Sequence, residues 1–119
     1  MALAGKLQLK PGQSVALVNA PDAVALDLGG EHPLADSPER ADAVIVFTAN
    51  RAELDQLADR FAAPAGRDAL TWVAYPKAGQ LGTDLNRDVL AELVRPHGIR
   101  PVRQVAVDDV WSALRLRPA

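Results

Sequence analysis

The chain has 119 residues, 49% of them apolar and 24% charged, with a formal net charge of −2. This is the profile of one globular domain, 1–119, without the basic footprint of a nucleic-acid binder or of a membrane-surface protein. Cysteine is absent and the two histidines, His32 and His97, each adjoin a proline; disulfides and thiolate chemistry are excluded, and no metal site is expected.

Met1 to Lys6 lacks the apolar core of a signal peptide, and no uncharged run is long enough to cross a bilayer; a cytoplasmic location is expected. Lys10-Pro11-Gly12 reads as a turn before the short apolar run Ser14–Val18, a strand covered on both faces. Asn19-Ala20-Pro21-Asp22 then opens a brief helix, with Pro21 suited to its first position and Gly29-Gly30 to its end. His32 to Asp36 predicts a weak second strand, at an edge because of Pro33.

Asp42 to Thr48 is the clearest buried strand. Asn50 to Ala62 is the clearest helix: Leu54, Leu57, Ala58 and Phe61 share one face, Asn50 and Glu53 form a capping box, and Pro64 and Gly66 stop it. A strand over Asp68–Tyr75 turns Leu70, Trp72 and Ala74 one way and Val73 and Tyr75 the other. After a loop with two glycines, Thr83 is positioned to cap a helix from Asp84 to about Arg95, with Asp84 against its positive end. Pro101 to Val107 is a mixed strand. Asp108-Asp109 predicts a tight hairpin into a last strand where Leu114 and Leu116 alternate with Arg115 and Arg117.

Alternating strands and helices predict a small three-layer Rossmann-like α/β fold, mostly parallel, with an antiparallel C-terminal strand. The order matches the back half of a methyltransferase-like sheet with its front half reduced. One face is left to the short helix near Pro21 and to Leu3–Leu9.

Several runs carry a family resemblance: Lys10-Pro11-Gly12 through Val18-Asn19-Ala20-Pro21, Asn50-Arg51-Ala52-Glu53-Leu54, Trp72-Val73-Ala74-Tyr75-Pro76-Lys77, Thr83-Asp84-Leu85, and Asp108 through Leu114. Together they cover nearly the whole chain, which resembles a bacterial domain-of-unknown-function family. The resemblance implies a small Rossmann-like fold and no particular activity.

In a parallel sheet the polar residues after the strands collect on one edge, where α/β folds keep their sites. Asn19, Asp22, Thr48, Lys77, Thr83, Asp84, Arg87, Asp108, Asp109 and Trp111 are therefore the candidate ligand-binding residues. No glycine occurs between Gly12 and Gly29, so the turns that let a backbone approach a nucleotide or S-adenosylmethionine are missing and no cofactor is expected. Asp36 is a candidate ribose ligand or a surface turn residue. Lys77 suits an anionic ligand, a base, or a salt bridge to Asp108 or Asp109. Arg87 suits a carboxylate or phosphate clamp, or pairing within its helix. Asp108 and Asp109 suit acid/base work or amide capping. Trp111 suits ligand stacking or packing over the sheet end, and Ser112 has no histidine near it in sequence.

The expected function is a non-catalytic module that binds a small anionic ligand or a protein partner. The alternative is a divergent methyltransferase-like enzyme using Lys77 with Asp108 or Asp109. An exposed last strand or an uncovered face predicts a homodimer.

Overall fold

Two uninterrupted apolar runs, Val15–Val18 (β1) and Ala43–Phe47 (β2), and the mainly apolar Leu70–Pro76 (β3) form adjacent parallel strands. All five β2 residues are buried, as a parallel strand covered on both faces requires. The structure, a computed structural model, describes residues 3–20, 33–35, 41–77 and 80–119. Ile99–Ala106 (β4) and Trp111–Pro118 (β5) complete a five-stranded sheet among the described residues, in the order β1-β2-β3-β5-β4. β5 runs antiparallel to both neighbours, so β4 points the same way as β1, β2 and β3. The mostly parallel sheet with an antiparallel final strand is the expected architecture.

The weak strand expected over His32–Asp36 is reduced, among the described residues, to one parallel bridge from Leu34 to Val15. Val15 donates its amide to Pro33, and Ala35 donates to Val15, at 2.9 and 2.8 Å. Pro33 has no amide of its own, which confines pairing to this edge. The chain thus visits one flank of β1 at Leu34 and returns on the other as β2, which makes the end of β1 a topological switch point.

One face is covered by Arg51–Gln56 (α2), Ala58–Gly66 (α3) and Arg87–Val94 (α4), whose Leu54, Phe61, Leu90 and Val94 pack on Val44, Val46, Val73, Leu114 and Leu116. The other face buries Ile45, Phe47, Trp72 and Ala74 under Leu7, which follows the short helix Leu3–Lys6 (α1). Trp72 is fully buried and its indole N–H donates to the Leu7 carbonyl at 3.0 Å. The expected role of Leu3–Leu9 as a cover is fulfilled by Leu7. The brief helix expected after Pro21 lies outside the described residues. β5 alternates as expected: Leu114 and Leu116 lie in the helix-covered core, Arg115 and Arg117 on the other side.

Four boundaries differ from the sequence reading. The helix expected over Asn50–Ala62 breaks at Leu57 (φ −100°, ψ 5°) and continues as α3 through Pro64 to Gly66. Pro64 removes one donor, but its ring and Ala65 are buried against the sheet, and that burial carries the helix past it. The helix expected from Asp84 starts instead at Arg87, because the Asn86 side-chain oxygen Oδ1 caps it by accepting from the Val89 amide at 2.9 Å. Asp84 therefore lies outside that first turn, and the pairing expected with Arg87 or Asp88 within the helix does not occur. The tight two-residue hairpin is a four-residue loop, Val107–Val110, held by the Asp108 carboxylate, which accepts the amides of Val110 and Trp111 at 2.8 Å each.

Among the described residues no helix is long and apolar enough to cross a membrane. The outer strand β4 carries Arg100, Pro101, Arg103 and a register shift between Pro101 and Arg103, features that blunt an exposed edge against strand addition. Arg115 and Arg117 engage their own chain: Arg115 donates to Gln8 at 2.7 Å, and Arg117 makes a two-pronged contact with Asp68 at 2.8 and 2.9 Å.

Candidate functional site

The ends of β1, β2 and β3 lie side by side, which brings Asn19, Thr48 and Lys77 onto one edge. The β4–β5 loop joins them there: the Lys77 amide donates to the Val110 carbonyl at 2.7 Å. Asp22 and Asp36 lie outside the described residues.

Asn19 sits where a cofactor-binding fold of this type carries glycine. Its backbone is left-handed (φ 59°), a conformation Asn tolerates better than other residues with side chains. The chain thus makes the turn without glycine and gains a carboxamide. That carboxamide donates to the Phe47 carbonyl at 3.1 Å and to the Glu53 carboxylate at 2.9 Å. Glu53 also accepts the Ala49 amide at 3.0 Å, while its own amide is capped by Asn50 at 2.9 Å. The sequence reading saw Glu53 only as half of a capping box. Beside this brace is a cavity of about 390 Å³ lined by Val18, Asn19, Glu53, Gln56 and Leu57.

Other candidates serve the scaffold. Thr48 is fully buried and its hydroxyl donates to the Ala74 carbonyl at 3.1 Å. The Thr83 hydroxyl accepts from the Leu85 amide at 3.0 Å, forming a turn where a helix cap was expected. Asp84 accepts from the Arg51 amide at 2.9 Å, placing its charge at the start of α2. Asp108 caps the hairpin amides, and Asp109 is exposed. Trp111 stacks edge-on against Phe47, with centroids 5.2 Å apart at 75°, so it packs over the sheet end. His97 follows the end of α4 in a short turn, its ring edge-on to Phe61 at 6.2 Å. The salt bridge considered for Lys77 is absent: the loop is tied to the hairpin by backbone, and the Lys77 ammonium has no hydrogen-bond or ion-pair partner among the described residues.

Lys77 and Arg87 meet at a second cavity of about 410 Å³, lined also by Tyr75, Asn86, Gln104 and Ser112. It lies on the helix-covered side of the sheet. Tyr75 and Ser112 are register partners on β3 and β5, Gln104 comes from β4, and Asn86 and Arg87 open α4. The Tyr75 oxygen accepts from the Gln104 amide at 3.1 Å. Burial pushes the Tyr75 phenol up from its usual 10.0, with Asp88 acting the same way; Arg87 and the Gln104 hydrogen bond oppose them. The phenol is therefore neutral at physiological pH and able to donate. The Arg87 guanidinium, like the Lys77 ammonium, has no hydrogen-bond or ion-pair partner among the described residues. Among the described residues no acid lines this cavity and no cluster of His, Asp or Glu could hold a metal ion. Sequence reasoning found Lys77 and Arg87 but not the role of Gln104 or Ser112. The alternation of β5 was the signal that sets Ser112 on the face of Leu114 and Leu116; the contact of Gln104 with Tyr75 depends on strand pairing that alternation does not give.

Sheet order, switch point and edge define a Rossmann-like α/β fold with methyltransferase-like strand order. Among solved structures, the chain is similar to a protein of the NADB-Rossmann superfamily from Streptococcus agalactiae, with 9% identity, a TM-score of 0.55, and coverage of 100% of this chain and 68% of that one. It is also similar to the B. subtilis tRNA methyltransferase TrmK, at 12% identity and a TM-score of 0.49, covering 99% of this chain and 65% of that one; the chain thus spans less than two thirds of that methyltransferase's length. At such identities the likeness is one of fold. No protein-family model and no curated protein matches the chain.

Proposed function

We propose that this chain is a small, non-catalytic Rossmann-like binding module whose ligand is an anion held between Lys77 and Arg87. The observation that carries the reading is a cavity at which, among the described residues, two cations have no partner and no acid lines the wall. A folded chain ordinarily pairs or solvates its charges; two cations converging on one concave surface suit a complementary anion. The Asn19–Glu53 brace supports the view that the cofactor position has been given over to the scaffold. The transferase alternative is less well supported. Asp108 already accepts two backbone amides and forms no ion pair with Lys77, whereas acid/base work needs groups within hydrogen-bond reach of a substrate. The reading includes residues 1–119 as one domain, a cytoplasmic location and membership of the bacterial family the sequence resembles. A homodimer through β4 has the blunted edge against it.

Titration calorimetry of the full chain with simple anions, S-adenosylmethionine and common nucleotides tests the proposal. Binding of simple anions, weakened by Lys77→Met, is the expected result. Tight S-adenosylmethionine binding unaffected by Lys77→Met would overturn it in favour of the transferase.

A further inference from the structure

We infer that the cavity formed by β3, β4, β5 and the start of α4 takes the doubly charged phosphate group of a small organic phosphate; this rests on the anion-binding reading above. The groups around the cavity form a set of donors. Lys77 offers an ammonium and Arg87 a forked guanidinium, the two side chains best suited to phosphate oxygens. The Asn86 side-chain oxygen Oδ1 is engaged by the Val89 amide, which leaves its NH₂ as the available group. The Tyr75 oxygen accepts from Gln104, leaving its proton to donate.

Ser112 adds a hydroxyl to this set. It is 5% exposed, lines the cavity, and its hydroxyl has no hydrogen-bond partner among the described residues. The hydroxyl oxygen itself keeps solvent access, and a phosphate oxygen would replace water as its partner. Two cations answer a charge of −2 better than the −1 of a carboxylate. Four further polar side chains exceed what a planar two-oxygen carboxylate engages, while a tetrahedral group with three terminal oxygens presents acceptors in several directions. The volume, about 410 Å³, lies within the roughly 300–1,000 Å³ typical of small-molecule pockets and leaves room for an organic part beside the Tyr75 ring. Asp88, in the first turn of α4, is the neighbouring negative charge that this cavity must outweigh.

Calorimetry of the full chain with phenyl phosphate, benzoate and inorganic sulfate at two pH values provides the test. Phenyl phosphate is expected to bind at least about tenfold more tightly than benzoate. Its affinity is expected to rise between about pH 5.5 and 7.5 as the monoester loses its second proton. Sulfate, doubly charged at both, reports any titration of Tyr75, Lys77, Arg87 or Asp88 themselves. Arg87→Gln is expected to weaken phenyl phosphate at least about tenfold. Asn86→Asp guards against misfolding: it keeps a good helix cap but adds a negative charge to the wall, and weaker phosphate binding at an unchanged melting temperature supports the inference. Benzoate binding as tightly as phenyl phosphate overturns the phosphate inference and leaves the anion-binding reading standing. No binding of any of the three anions overturns both.

Discussion

The Asn19 carboxamide donates to the Glu53 carboxylate across 2.9 Å and to the Phe47 carbonyl across 3.1 Å. One side chain in a left-handed turn thus ties the end of β1 to the end of β2 and the first turn of α2. Asn19→Gly keeps the turn and loses both bonds, at a cost of about 1–2 kcal/mol for partly exposed hydrogen bonds. Asn19→Ala loses them and also forces a Cβ into the left-handed region, for roughly 1 kcal/mol more. Urea denaturation should rank the proteins wild type, Gly, Ala in falling stability. Alanine at least as stable as glycine would show that the left-handed turn is not held in solution.

Asp84 belongs to a helix far from it in sequence, and its removal tests that placement. Its carboxylate accepts the Arg51 amide at 2.9 Å, at the positive end of α2. Asp84→Ala is expected to cost about 0.5–2 kcal/mol, the range for losing a helix-terminus acceptor. Thr83→Ala, which removes one turn hydrogen bond to Leu85, should cost less, toward the low end of the roughly 0.5–1.5 kcal/mol typical of such bonds. The reverse order in chemical denaturation would favour Thr83 as a helix cap.

These two cases mark how far the sequence could be read. Period and composition were enough for the sheet: the apolar runs at Val15, Ala43 and Leu70 became the parallel strands, and Leu114 and Leu116 turned inward where Arg115 and Arg117 did not. The shared edge of Asn19, Thr48 and Lys77 follows from that topology alone. Local competition between acceptors was harder to read. Thr83, Asp84 and Asn86 can all cap a helix, and Asn86 prevails because Leu85 is drawn into the core and Asp84 to Arg51. Asp108 lengthened the hairpin by taking two amides. Contacts across long sequence separations, such as Gln104 with Tyr75, leave no periodic trace.

Leu7 is the keystone of the face opposite the three packed helices. It is 1% exposed and its carbonyl accepts the Trp72 indole N–H. Leu7→Ala is expected to cost about 2–5 kcal/mol, the range for a large-to-small change in a core, although the residue stands only a few positions from the start of the chain. Trp72→Phe keeps most of the apolar surface but leaves the Leu7 carbonyl without its donor, and should cost about 1–3 kcal/mol. Denaturation midpoints, with the slope checked for unchanged cooperativity, measure both. A Leu7→Ala protein within about 0.5 kcal/mol of wild type, as for a surface change, would mean that this segment does not cover the sheet in solution.

Tyr75 is the sole tyrosine, so phenolate absorbance reports its ionisation without interference from another. Burial is the largest influence on it and raises the phenol above 10.0; Arg87 lowers it, Asp88 raises it and the Gln104 hydrogen bond lowers it. The titration midpoint in the folded protein is therefore expected above 10.0. Arg87→Met should move it further up, because a cation that stabilises phenolate is lost, and Asp88→Asn should move it down. The sign for stability follows. A group whose ionisation is harder in the folded than in the unfolded chain contributes fully below its unfolded value, and that contribution is lost as pH rises through the folded one. Stability should thus decline once pH passes 10.0, the unfolded value, and more steeply in Arg87→Met than in wild type. A midpoint at or below 10.0, unmoved by either substitution, would place Tyr75 in open solvent and remove the phenol from the wall of the anion cavity.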